Sequence, residues 1–186
     1  SSLNYFSVHK ISIIICLMFF IIGSFTGTLY FIFCSNRNIN PLSIIFDYSG
    51  FMNTLINCFL NKAKILILTA VLAFTLFGTF IIPLTSGIYG FLLASSFCGL
   101  LSKVNSNANV FTFLSFLPIG LIFIPTLILY SSESMDLSSK FCGFSMNNSR
   151  DSNIYQKIAL ILILLIISLV LAFISSFIET VFISFS

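Results

Sequence analysis

An all-α polytopic transmembrane helix bundle of about five spans, with one broken span and one interfacial helix, is the fold class this sequence predicts. Three observations carry the expectation. Hydrophobic residues make up 58% of the 186-residue chain and charged ones only 7%, against about 25% charged in an ordinary soluble domain. The apolar residues gather into runs long enough to cross roughly 30 Å of hydrocarbon at about 1.5 Å per residue, with nearly all charges in the stretches between them. One run, Phe113 to Tyr130 (FLSFLPIGLIFIPTLILY), carries Pro118, Gly120 and Pro125 in its interior. A proline lacks the backbone donor and clashes with the carbonyl four residues back, so this span is bent or broken. Its freed carbonyls need neighbouring helices, Ser115, Thr126 or water, which places the segment inside a bundle.

In chain order, the whole of 1–186 is expected to form a single integral membrane domain. The chain opens on Ser1, so a short preceding piece is expected. The first apolar run is too long for a signal-peptide core and is read as a span, about 11–34. Within it Gly23 and Gly27 form a GxxxG pair that lets a neighbouring backbone approach. Residues 43–60 mix apolar side chains with Asp47, Asn53 and Asn57. They are read as an amphipathic helix at the interface, with a loop helix packed on the bundle as the competing reading.

Residues 65–101 are almost continuously apolar, about 55 Å as one helix, so the chain must turn back. Pro83 to Gly87 supply breaker residues, which predicts spans at about 65–82 and 87–101, with Gly87 and Gly90 favouring close packing in the latter. The broken fourth span covers about 110–130. A polar loop is expected over 131–157, where Asn147 to Ser149 fit a short glycosylation pattern. The last span, about 158–183, contains Glu179.

Chemistry-bearing constellations are sparse. Net charge is +3 with no basic cluster, so the expected partner is the lipid bilayer and no nucleic acid. The five cysteines lack paired spacing and His9 is the single histidine; no metal site, disulfide framework or cofactor is expected. No HExxH, GxSxG or phosphate loop occurs, so no catalytic residue is assigned and the chain is read as a non-enzyme. Lys10, Lys140, Arg150 and Lys157 balance Arg37, Lys62, Lys64 and Lys103, so charge leaves the orientation tied. Glu179 is the one acidic residue within a span. It is read as an interfacial or packing contact, with a buried partner as the alternative. Pro118, Gly120, Pro125, Pro83, Gly87, Gly90, Gly23 and Gly27 are the helix-break and packing positions.

Together these pieces resemble the stage II sporulation protein M family of bacterial membrane proteins. LPIGLIFIPTLIL, Leu117 to Leu129, is similar to that family's proline- and glycine-bearing segment, and keeps Pro118, Gly120 and Pro125 in register. PLTSGIYGFLLASSF, residues 83 to 97, is similar to its third span, and AFISSFIETVF, Ala172 to Phe182, to its closing span with a glutamate. Where many relatives carry a histidine and a glutamate, this chain has Ile119 and Phe123. The resemblance implies a bacterial cytoplasmic membrane protein acting as a scaffold for the peptidoglycan-degrading stage II sporulation proteins D and P during engulfment. A second implication is an accessory membrane subunit of an ABC-type peptide exporter or immunity system, alongside ABC transporter components; the broken fourth span by itself also leaves a small transporter as an alternative.

Overall fold

The computed structural model describes residues 2–34, 51–103, 116–147 and 154–184. Five helices in it are long and apolar enough to cross a membrane, and no strand occurs among the described residues. We number them α1 (Ser2–Cys34), α2 (Phe51–Ala73), α3 (Gly78–Lys103), α4 and α5 (Ile154–Ser184). α4 comprises Phe116–Pro118, a wider π-helical segment Ile119–Phe123, and Ile124–Asn147. The all-α polytopic bundle expected from composition is therefore the architecture found. Residues 43–50 of the expected interfacial stretch, residues 104–115 around the start of the fourth span, and most of the glycosylation pattern lie outside the described residues.

Three expected boundaries move. The turn between the second and third spans falls at Phe74 to Phe77, not at Pro83 to Gly87. There the Phe74 and Thr75 amides donate to the carbonyls of Val71 and Leu72 at 3.2 and 3.0 Å, and the Gly78 amide donates to Thr75. Gly78 is required at this corner, because a Cβ on it would run into the Leu72 carbonyl oxygen. Pro83 sits buried inside α3 instead. A proline interrupts one backbone hydrogen bond but is tolerated in membrane helices, where neighbouring groups re-satisfy the freed carbonyl.

Moving the corner ten residues back lengthens the third span from the short 87–101 to a 22-residue apolar helix. It also requires the second span to begin earlier. α2 accordingly starts at Phe51 and absorbs half of the stretch read as interfacial. The third boundary is the polar loop: 131–147 continue α4 as helix. Ser131, Ser132, Ser134, Asp136 and Ser138 are buried there, while Ser139 is exposed.

The helices pack by small residues and by polar bonds, as expected where lipid offers no hydrophobic driving force between helices. α1 and α3 share the most extensive interface. It is built on the predicted glycines: a Cβ on Gly23 would collide with the Gly87 carbonyl and one on Gly27 with that of Phe91. From the other side, a Cβ on Gly90 would lie 2.5 Å from the Phe20 carbonyl oxygen. Ser86 bridges the same two helices, its hydroxyl 3.1 Å from the Cys16 carbonyl. The central apolar cluster joins Leu66, Ala70 and Ala73 of α2, Phe123, Leu127, Tyr130 and Leu137 of α4, and Ile161 and Ala172 of α5.

Candidate functional site

α2 turns one face inward along its length: Thr54, Cys58, Lys62, Leu66, Thr69 and Ala73 are all buried and recur every three or four residues. That is the helical period. On α5 the same period brings Ala172, Ser175, Ser176, Glu179 and Ile183 to the bundle interior. Where the two stripes meet, Lys62 Nζ lies 2.6 Å from Glu179 Oε2, with both side chains about 5% exposed or less. The ammonium also donates to Ser175 Oγ at 3.1 Å and to Ser176 Oγ at 3.2 Å. All three of its donors are thus used. Glu179 receives a second contact from the Cys58 thiol one turn before Lys62. The Phe123 ring stands 5.8 Å from Nζ and closes one side.

This cluster is tied to the broken helix through one hydroxyl. Ser175 accepts from Lys62 and donates to the carbonyl of Pro118 at 3.2 Å. Pro118 is the last residue before the widened segment, within which the Ile124 amide donates five residues back to the Ile119 carbonyl. The cause is Pro125. Its ring cannot lie against the Leu121 carbonyl as an α-turn demands, and the helix widens just before it. Thr126, singled out as a partner for a freed carbonyl, donates to Ile122 at 2.6 Å; Ser115 lies outside the described residues.

A second polar contact joins α1 to α4, where the buried Ser12 hydroxyl donates to Asp136 Oδ1. Ser138 of α4 donates to the Thr75 carbonyl at 2.7 Å and accepts from Thr79 at 3.2 Å, clasping the α2–α3 corner. Many other in-span hydroxyls bond the carbonyl three or four residues back in their own helix, as with Ser24 on Phe20 and Thr69 on Ile65.

The predicted positions therefore divide. Gly23, Gly27, Gly87 and Gly90 meet in one interface, and Pro118 and Glu179 meet in another through Ser175. Pro83 is helical, Pro125 faces outward, and Gly120 has nothing within 4 Å of where its Cβ would be. Glu179 is buried and paired with Lys62. Sequence reasoning missed Lys62, which it counted with the loop charges. The available signal was its place in the Thr54, Cys58, Lys62, Leu66 stripe, a pattern hidden once the span was started at 65.

A family model described as SpoIIM, Stage II sporulation protein M, matches residues 12–184. The chain belongs to the Stage II sporulation protein M family. The match runs from Ser12 in α1 to Ser184 at the end of α5, so α1 from Ser12 onward, all of α2 to α5 and both polar contacts fall within the family's extent. No curated protein and no solved structure matches the chain. Among the described residues no group of three or more His, Cys, Asp or Glu is placed to hold a metal ion. Lys62 places its three donors on Glu179, Ser175 and Ser176, and the cluster ties α2 to α5.

Proposed function

We propose that this member of the Stage II sporulation protein M family is a non-enzymatic membrane scaffold of the bacterial cytoplasmic membrane, recruiting partner proteins through its helices. By resemblance, the partners are the peptidoglycan-degrading stage II sporulation proteins D and P during engulfment. The observation that carries the reading is the internal use of polarity. The buried charges of α2, α4 and α5 are bound to one another or to serines, while large apolar side chains such as Phe33, Phe80 and Leu121 face outward. A rigid bundle with a lipid-facing exterior is what a membrane-embedded organiser needs.

The exporter or transporter reading calls for a polar cavity at the fourth span. Phe123 and Leu127 are fully buried there, and Pro118 and Ile119 beside them are buried as well. A groove of about 250 Å³ does lie between α4 and α5, lined mainly by apolar groups such as Leu129, Leu164 and Ile167. Leu129 and Ile167 are exposed on the outside of the bundle, so the groove opens toward lipid. This packing favours the scaffold.

The test is in-cell crosslinking from a photoreactive residue at Leu121, which is 73% exposed, with purification in mild detergent. Capture of a wall hydrolase is the expected result. Capture of an ATPase-linked permease, or of lipid and the chain itself alone, overturns the scaffold reading.

A further inference from the structure

α2 carries two lysines two residues apart, and the bundle treats them oppositely. Lys62 is buried on Glu179. Lys64, about 200° around the helix from it, is exposed, and among the described residues no ion pair reaches it. Asn57 and Asn61 are exposed on the same flank as Lys64, and Asn53 continues the line. Spacings of four, four and three residues put positions 53, 57, 61 and 64 within one sector about 80° wide. Exposed Met52, Ile56, Leu60 and Ile67 lie along one side of this stripe, and exposed Leu68 continues its line toward Ala73.

Depth makes the stripe significant. α2 ends at Ala73, and the nine residues back to Lys64 correspond to about 13 Å, near the middle of a roughly 30 Å hydrocarbon layer. A cation facing lipid at that depth is costly and marks an intramembrane contact by default. Snorkelling shortens its distance to the headgroups without closing it. Carboxamides in membrane helices are satisfied across helix interfaces.

We propose that the Asn57, Asn61 and Lys64 face of α2 docks a transmembrane helix of a partner protein, one that presents a carboxylate at the depth of Lys64 and carboxamide or hydroxyl side chains one and two turns away, toward the level of Phe51. The proposal rests on the scaffold reading and names the chemistry of the partner it recruits. The opposite face of the same helix uses that chemistry already, where Lys62 meets a helix offering one glutamate with serines a turn away. A second copy of this chain fits poorly. Copies share one orientation in the membrane, so a symmetric α2–α2 contact would set Lys64 against its own equivalent.

The experiment uses the purified full chain in phosphatidylcholine vesicles with a minor fraction of phosphatidylglycerol, and a synthetic leucine-based helix of about 20 residues, carrying a central Glu with Asn one and two turns away. Energy transfer between dyes on chain and peptide reads association. The Glu peptide is expected to bind at least tenfold more tightly than peptides with Leu or Lys in that position. Lys64→Leu abolishes the preference, Lys64→Arg retains it, and Asn57→Leu with Asn61→Leu weakens binding several-fold. These variants alter only lipid-facing positions, so the bundle stays folded. Equal binding of all peptides, or a preference that survives Lys64→Leu, overturns the proposal. So does self-association, or enrichment of phosphatidylglycerol, that depends on Lys64 while no peptide preference is seen. Hydrolase recovery, scored separately for wild type and Lys64→Leu, distinguishes the two readings. Recovery by both without a peptide preference retains the scaffold and rejects this face. Peptide preference with no hydrolase recovery by either rejects the proposed partners and leaves the face standing.

Discussion

Lys62 and Glu179 are 117 residues apart in the chain, and their charged atoms meet at 2.6 Å between α2 and α5. Removing one partner of a buried ion pair strands the other, at a typical loss of about 3–5 kcal/mol, whereas replacing both by apolar residues is often close to neutral. Glu179→Leu and Lys62→Leu are each expected to lower the melting temperature in detergent strongly. The double variant should recover most of the loss. Additive losses in the double variant would show that the two side chains stabilise the bundle independently.

Ser175 serves two neighbours, so Ser175→Ala removes one acceptor from Lys62 and the donor on the Pro118 carbonyl. A loss of about 1–3 kcal/mol is expected. Ser184→Ala, whose exposed hydroxyl bonds only its own helix at Val181, should change stability by a few tenths at most. Equal effects from the two would remove the relay from the account of α4.

The glycines should respond in opposite ways. Gly23→Val and Gly27→Val push a side chain into the α3 backbone and are expected to separate α1 from α3, read as loss of a disulfide engineered between the two helices. Gly120→Ala meets open space, and alanine is favoured over glycine in a helix by about 1 kcal/mol. That variant should match or exceed the parent's melting temperature.

Thiol accessibility offers a check on packing without substitutions. Cys16 and Cys58 are buried, while Cys98 and Cys142 are half-buried. A membrane-permeant maleimide followed by peptide mass analysis should label Cys142 and Cys98 first, and Cys16 and Cys58 only after denaturation. Early labelling of Cys58 would mean that the Lys62 and Glu179 cluster is open.

Much of the bundle was legible because long apolar runs have few other solutions, and because two prolines in one run force a broken helix. The glycine faces were legible too, since Gly23 and Gly27 share a helix side whatever they pack against. The α2–α3 corner was not. Pro83 is a stronger breaker in isolation than Phe74 to Phe77, but helical neighbours absorb a proline, and the corner is fixed by tertiary contacts from Ser138 to Thr75. Lys62 escaped for a related reason. A lysine among asparagines reads as a membrane edge, and the glutamate that makes it an interior residue is remote in the chain.

That remoteness sets an order on assembly. When α2 enters the membrane, Lys62 has no counter-charge, because Glu179 is made 117 residues later. At about 5–20 residues per second that is a delay on the order of ten seconds. During this interval the second helix holds a bare cation, and the bundle cannot lock until the last helix arrives. The final span thus completes the pairing, and a chain halted before it would keep Lys62 in the membrane without its counter-charge.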